Sequence, residues 1–173
     1  MPRKATRSGN VHSHNIRFKL NGKWVKVQTH PTKTLLRLLR DEFDLTGAKP
    51  GCEAGECGSC TVLLNGLPVT SCMVLAGQIE GREVTTVEGL SKRRLDPIIR
   101  ALVEEGAVQC GYCIPGFVVS ARGLLTASQK PSREMICSSL SGNICRCGGY
   151  SMIIEAVMKA SGRGGHSHSR LSR

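Results

Sequence analysis

Four of the nine cysteines in this 173-residue sequence form a compact group. Cys52, Cys57, Cys60 and Cys72 are spaced as C-x4-C-x2-C-x11-C. The C-x4-C-x2-C run is the plant-type ligand pattern for a [2Fe–2S] cluster, in which four thiolates hold two irons. Glycines before and between the cysteines allow the backbone to approach inorganic sulfide without a Cβ penalty. The spacing therefore predicts a [2Fe–2S] cluster on these four residues.

A zinc site or a set of disulfides is the alternative interpretation of this group. Zinc sites usually pair their ligands as two separated C-x2-C knuckles, whereas three cysteines here fall within nine residues. Disulfide frameworks are typical of secreted proteins, and residues 1–14 are polar and basic, without the apolar stretch of a secretion signal. We therefore favour iron–sulfur ligation and expect a cytoplasmic protein without a membrane span.

A second group of cysteines lies in the C-terminal half. It consists of Cys110 and Cys113, then Cys145 and Cys147. Each pair precedes a predicted helix, whose free N–H groups and macrodipole would stabilise thiolate charge. A redox-active C-x2-C pair of the thioredoxin type would leave the second pair unused, and the sequence lacks the βαβ pattern that such proteins have. Four thiolates from two helix starts therefore predict a second cluster.

The ninth cysteine, Cys137, lies in a predicted helix beside Met135, Ile136 and Leu140. A cysteine among apolar neighbours behaves as a small hydrophobe and needs no chemical role. We expect Cys137 to lie in a core.

Strands and one helix are predicted around the first cysteine group. Asn21-Gly22 and Asn65-Gly66 each separate two alternating apolar runs, which predicts two hairpins with type I′ turns. The expected pairs include Phe18 with Val25 and Val62 with Val69. Apolar residues at helical spacing predict a helix from Pro31 to Gly47, and a short strand is expected at 83–87. Together these elements indicate a small mixed sheet with a helix packed across it.

The C-terminal half is predicted to be helical. Four helices are expected, at 97–105, 114–127, 132–140 and 151–160, with Ser132 as an N-cap and Gly142 as a C-terminal stop. Helices of this length and apolar spacing form a bundle. The expected organisation is a disordered basic head (1–13), a first domain (14–88), a helical domain (89–161) and a flexible basic tail (162–173).

The net charge of +11 raises the question of nucleic-acid binding. Six of these charges lie near the termini, which leaves about +5 for the rest of the chain, a surplus that favours solubility. Aromatic residues are only 3% of the sequence, too few for a platform on which single-stranded bases could stack. We expect no nucleic-acid partner.

Together the two cysteine groups resemble a known family, the iron–sulfur subunit of the molybdenum hydroxylases, which include xanthine dehydrogenase and aldehyde oxidase. The resemblance covers residues 14–160 and is carried by four segments: LTGAKPGC (45–52), GECGSCTV (55–62), QCGYCIPG (109–116) and GNICRCGGY (142–150). Ile114 and Gly148 stand where the family usually has threonine. Neither departure removes a ligand, so only local hydrogen bonds near the second cluster are affected.

The resemblance implies an α+β fold, with an N-terminal β-grasp [2Fe–2S] ferredoxin domain followed by an all-α, four-helix [2Fe–2S]-binding domain. It also implies partners: a large subunit with a molybdopterin-type cofactor and a medium subunit with FAD. Such complexes oxidise an aldehyde, an N-heterocycle or carbon monoxide, and electrons pass through both clusters to the flavin. By this resemblance the second cluster is proximal to molybdenum and the first is proximal to flavin, and Gln109 and Cys147 lie against the pterin.

No catalytic constellation is predicted within the chain itself. The sequence contains no nucleotide-binding fingerprint, and no Ser/His/Asp or paired-carboxylate arrangement converges with the motifs. The expected role is therefore electron transfer within an oxidoreductase, without substrate-transforming residues in this chain. A stand-alone, two-cluster ferredoxin-like carrier is the alternative, although a carrier usually needs one cluster and an acidic docking face.

Overall fold

The computed structural model describes residues 13–91 and 95–162. The predicted head and tail lie outside the described residues, apart from Ser13 and Gly162. Within these described residues, five strands and six α-helices follow in chain order: β1 (His14–Leu20), β2 (Lys23–Thr29), α1 (Leu35–Phe43), β3 (Thr61–Leu64), β4 (Leu67–Thr70), β5 (Glu83–Thr85), α2 (Val87–Leu90), α3 (Pro97–Glu104), α4 (Ile114–Ala127), α5 (Arg133–Leu140) and α6 (Tyr150–Ala160). Two short 3-10 helices, Ser71–Met73 and Ala76–Ile79, lie between β4 and β5.

The strands form one mixed sheet in the order β2-β1-β5-β3-β4. Both predicted hairpins are confirmed, with Phe18 opposite Val25 and Val62 opposite Val69. Asn21 and Gly22 have φ of 49° and 83°, as a type I′ turn requires. Strand β5 pairs with β1 in parallel and with β3 in antiparallel, so it joins the two hairpins into one sheet.

Helix α1 shares a hydrophobic core with the sheet. Its four leucines (Leu35, Leu36, Leu38 and Leu39) are completely buried. The helix is shorter than the predicted span from Pro31 to Gly47 because both of its ends are capped. Thr34 accepts a hydrogen bond from the Arg37 N–H at the start, and Asp44 takes a left-handed φ of 54° at the end.

The helical half has its own hydrophobic core, built by α3, α4, α5 and α6. The predicted limits of α4 are confirmed, and the others agree to within one residue. Ser132 is the N-cap of α5, as predicted, but the helix ends at Leu140 with Ser141 rather than Gly142 as its C-cap. The expected α+β architecture is thus confirmed.

The prediction that Cys137 lies in a core is wrong. Ile136 and Leu140 are buried and turn one face of α5 inward, whereas Cys137 is exposed. Adjacent residues on a helix point about 100° apart, so a cysteine next to the buried Ile136 faces away from the core.

The two halves pack against each other through α4, which lies on β3 and β4. A Cβ at Gly123 of α4 would lie 2.9 Å from Pro68 Cδ of β4, so the glycine permits this close approach. Helix α2, which was not predicted, spans the expected boundary between the two domains at residues 88 and 89. The position of that domain boundary stays a prediction. Among the described residues, no helix is both long enough and apolar enough to cross a membrane.

Candidate metal centres

The first four predicted ligands come together as two contacting pairs of thiols. The Cys52 side chain hydrogen-bonds with Cys57, and the Cys72 side chain hydrogen-bonds with Cys60. Cys60 and Cys72 are buried beneath the loop, whereas Cys52 is exposed and Cys57 is half-buried. The group therefore has an inner pair and an outer pair.

Backbone N–H groups of the loop converge on the sulfur of Cys52. The N–H groups of Ala54, Glu56 and Cys57 lie 3.3–3.4 Å from the Cys52 Sγ. These donors lower the pKa of Cys52 to about 7. At Cys72 the balance is reversed, because burial, followed by the neighbouring Cys60, raises its pKa to about 11.

Helix α1 holds this loop with two arginines. Arg37 Nη2 donates to both carboxylate oxygens of Glu53, which has a left-handed φ of 52°. Arg40 donates to the carbonyls of Thr46 and Ala48, on the segment that leads to the first cysteine. Helix α1 is therefore hydrogen-bonded to the chain both before and after Cys52.

The second four predicted ligands also come together in pairs, although they arise from two distant segments. The Cys110 side chain hydrogen-bonds with Cys147, and the Cys113 side chain hydrogen-bonds with Cys145. Cys113 and Cys145 are buried, whereas Cys110 and Cys147 are exposed. This group repeats the inner and outer pairs of the first.

Burial and backbone donors act in opposite directions in the second group. Burial, followed by Cys145, raises the pKa of Cys113 to about 12, because these two effects outweigh the backbone N–H at the start of α4, which lowers it. At Cys145 burial also acts to raise the pKa, but the Gly149 N–H, the Cys113 side chain and the N–H groups of Cys147 and Gly148 together outweigh burial and lower it. The N–H of Tyr112, followed by Cys147, lowers the pKa of Cys110.

Each group supplies four thiols, which is the number that a [2Fe–2S] cluster needs. Within residues 13–91 and 95–162, no group of three or more His, Cys, Asp or Glu side chains is arranged to hold a metal ion. Two thiol pairs are the donor set that a [2Fe–2S] cluster needs, since its four thiolates are shared by two irons. A Cβ at Gly51 would lie 2.7 Å from the Cys57 Sγ, so only glycine leaves room for that sulfur.

The two cysteine groups are joined by hydrogen bonds between their loops. The Ile144 N–H donates to the Cys57 carbonyl at 3.0 Å. Cys57 is a predicted ligand of the first group, and Ile144 directly precedes Cys145, a predicted ligand of the second. The buried Asn143 donates from Nδ2 to the Gly58 carbonyl at 3.2 Å. The Tyr112 hydroxyl donates to the Pro50 carbonyl at 2.5 Å. The loops that carry the second group of cysteines are therefore held against the loop that carries the first.

Sequence reasoning missed the residues that make these connections. Tyr112, Asn143 and Ile144 lie inside the quoted motifs, but nothing in their spacing indicated a contact with the first loop. Gln109 was predicted and is exposed next to Cys110. Its contact with a pterin stays a prediction.

The pKa differences predict an order of alkylation in the cluster-free chain. We expect iodoacetamide to modify Cys52 with a rate that rises through about pH 7, because the lowered pKa makes the thiolate its main form above that pH. Cys72 should stay largely unmodified at pH 8, since its raised pKa of about 11 keeps it as a thiol. Peptide mass spectrometry at several pH values measures both rates, with the exposed Cys137 as an accessibility reference. Equal labelling of Cys52 and Cys72 would contradict this order.

Comparisons with known proteins match two family models whose ranges overlap. Residues 22–107 match the 2Fe-2S iron-sulfur cluster binding domain, and residues 86–158 match the [2Fe-2S] binding domain. The chain is 46% identical to the nicotinate dehydrogenase small FeS subunit of Eubacterium barkeri, over 84% of this chain and 93% of that protein. It is 44% identical to the nicotine 6-hydroxylase small subunit of Paenarthrobacter nicotinovorans, over 88% of this chain and 93% of that protein.

A solved structure has the same fold. The quinoline 2-oxidoreductase of Pseudomonas putida 86 contains a chain that superposes with a TM-score of 0.81 at 41% identity. The match covers 88% of this chain and 98% of that one.

Proposed function

This chain belongs to the family of small iron–sulfur subunits of the molybdenum-containing hydroxylases, and we propose that it carries electrons from a molybdopterin-bearing subunit to an FAD-bearing subunit. The proposed ligands are Cys52, Cys57, Cys60 and Cys72 for one [2Fe–2S] cluster and Cys110, Cys113, Cys145 and Cys147 for the other. When bound, such a cluster accepts and releases electrons. The chain itself is the electron-transfer component of an oxidoreductase.

The observation that carries this proposal is the hydrogen bond from the Ile144 N–H to the Cys57 carbonyl. It connects the backbone of one proposed ligand with that of Cys145, the neighbour of Ile144, so a short path of covalent bonds and one hydrogen bond joins the two sites. The neighbouring bond from Asn143 to Gly58 fixes the same two loops a second time. These contacts hold the two sites at one separation, as sequential electron transfer needs.

Both proposed sites have exposed thiols that a partner can approach. These are Cys52 in the first site and Cys110 and Cys147 in the second. We propose that the Cys110/Cys147 end faces the molybdopterin-bearing subunit, where Gln109 and Cys147 contact the pterin. The Cys52 end faces the FAD-bearing subunit.

Apolar side chains around the second site support a docking face there. Val108, Tyr112, Ile144 and Tyr150 are each between 42% and 51% exposed, and all four lie within a few residues of a proposed ligand. Exposed apolar groups clustered around a site are typical of a protein interface. We propose that this surface packs against the large subunit and excludes water from the exposed thiol pair.

The relatives supply the proposed substrate class. Those in the comparison are named for nicotinate, nicotine and quinoline, which are N-heterocycles. We propose that the complex containing this chain oxidises an N-heterocycle, with an aldehyde as the second candidate because a further relative is the iron-sulfur-binding subunit of an aldehyde oxidoreductase. A dye-linked assay of the purified complex with nicotinate, quinoline and benzaldehyde distinguishes them.

Metal and flavin analysis of the complex purified through this chain tests the proposal. The expected content is about four irons per chain with about one molybdenum and one FAD. Four irons with neither molybdenum nor flavin in any co-purifying fraction would favour the stand-alone carrier instead. A matched purification of a chain with Ile144→Asp tests the docking face, because a charge at the centre of an apolar interface weakens association.

A further inference from the structure

Tyr150 lies between the two segments that carry the second set of cysteines. It is the first residue of α6, and its hydroxyl oxygen accepts a hydrogen bond of 2.9 Å from the Cys145 N–H. Its ring packs edge-on against Phe117 of α4, with 6.4 Å between the centroids. One side chain thus touches the backbone of Cys145 and the helix that begins directly after Cys113.

The hydrogen bond gives the Cys145 amide a partner that is not sulfur. Other N–H groups of this loop, those of Gly149, Cys147 and Gly148, approach the Cys145 thiol, and the Gly148 N–H also donates to the Cys145 carbonyl at 3.2 Å. The Cys145 N–H is directed to the tyrosine oxygen instead. This N–H is therefore already hydrogen-bonded to the hydroxyl and does not donate to a sulfur of the proposed cluster.

We propose that Tyr150 is a positioning residue that sets the reduction potential of the second cluster by withholding the Cys145 N–H from it. Reduction adds negative charge to the cluster, so each N–H that is directed at its sulfurs favours the reduced form and raises the potential. By accepting this N–H, Tyr150 keeps the potential lower than the surrounding loop would otherwise make it. This inference rests on the proposed function, because it requires a cluster on these ligands.

The conservative variant Tyr150→Phe tests this role. Phenylalanine keeps the ring against Phe117 and removes only the acceptor, which frees the Cys145 N–H for sulfur or leaves its positive end exposed. Both outcomes raise the potential. We expect an upward shift of the second-cluster midpoint in a redox titration of the complex followed by electron paramagnetic resonance, with the first-cluster midpoint unchanged and the iron content at the wild-type value.

Thr126→Val is the control, because it also removes a hydroxyl from the helical half. That hydroxyl donates to the Arg122 carbonyl within α4, so its loss should leave the second-cluster midpoint in place. The second-cluster signal is identified as the one retained in a Cys60→Ala chain.

Three results of the titration would overturn the inference. They are an unchanged or lowered midpoint in Tyr150→Phe, an equal shift of both clusters, and loss of the second cluster from that variant, which would make the role structural. A wild-type complex without two iron–sulfur signals would instead refute the proposed function. The two failures are therefore distinguishable.

Discussion

Replacing Cys60 with alanine should lower the iron content from about four to about two per chain, because one of the two [2Fe–2S] clusters loses a thiolate. Cys60 is 3% exposed and contacts Cys72 in the inner pair of the first group. The burial of this position disfavours replacement of the missing sulfur by water. Iron and acid-labile sulfide analysis measures the loss, and one electron paramagnetic resonance signal should disappear on reduction.

The matched control for this variant is Cys137→Ala, which removes the same thiol from an exposed position on α5. It should keep about four irons and both signals. Electron delivery from the large subunit to the flavin should fail in the Cys60 variant only, although the second cluster can still be reduced. Full iron content in Cys60→Ala, or loss of a cluster in Cys137→Ala, would contradict the assigned ligands.

Gly116→Ala should destabilise the contact between the two halves by about 2–3 kcal/mol, and the midpoint of thermal unfolding should fall by roughly 5–10 °C. A Cβ at Gly116 would lie 2.2 Å from the Gly58 carbonyl oxygen and 3.2 Å from Asn143 Nδ2. The obstacle is backbone rather than the end of a flexible side chain. Relief therefore requires α4 to move away from the first cysteine loop.

This movement should also slow electron transfer between the clusters, because it separates the loops that the Asn143–Gly58 bond holds together. Scanning calorimetry measures the stability, and stopped-flow absorbance with a limiting reductant measures the transfer. Gly142→Ala is the control, since a Cβ there meets no atom within 4 Å. If Gly116→Ala matches the wild type in both measurements, α4 does not pack so closely against the first cysteine loop.

Local sequence signals were sufficient for the hairpins and for most helix limits. Asn21-Gly22 has the positive φ values that its residue types favour, and Ser132 caps α5 as its position indicated. These features depend on neighbouring residues only. The Cys137 prediction failed because the apolar residues of α5, a helix of eight residues, left two orientations open, and packing against α4 and α6 decided between them.

The cysteine motifs predicted which residues come together but could not predict their pairs. The contact of Cys113 with Cys145 and of Cys110 with Cys147 depends on how α4 and the loop before α6 meet in three dimensions. The same is true of the bond from Ile144 to Cys57, which joins residues far apart in sequence. Gly58 and Gly116 were visible inside the motifs, yet their shared purpose, close backbone approach, is evident only from the structure.

The most direct test of the central claim is the metal and sulfide content of the wild-type chain, together with its reduced spectrum. Two [2Fe–2S] clusters predict about four irons and about four acid-labile sulfides per chain, with two distinct electron paramagnetic resonance signals after reduction. Zinc in place of iron, or half the predicted iron with a single signal, would contradict the assignment of the eight paired cysteines.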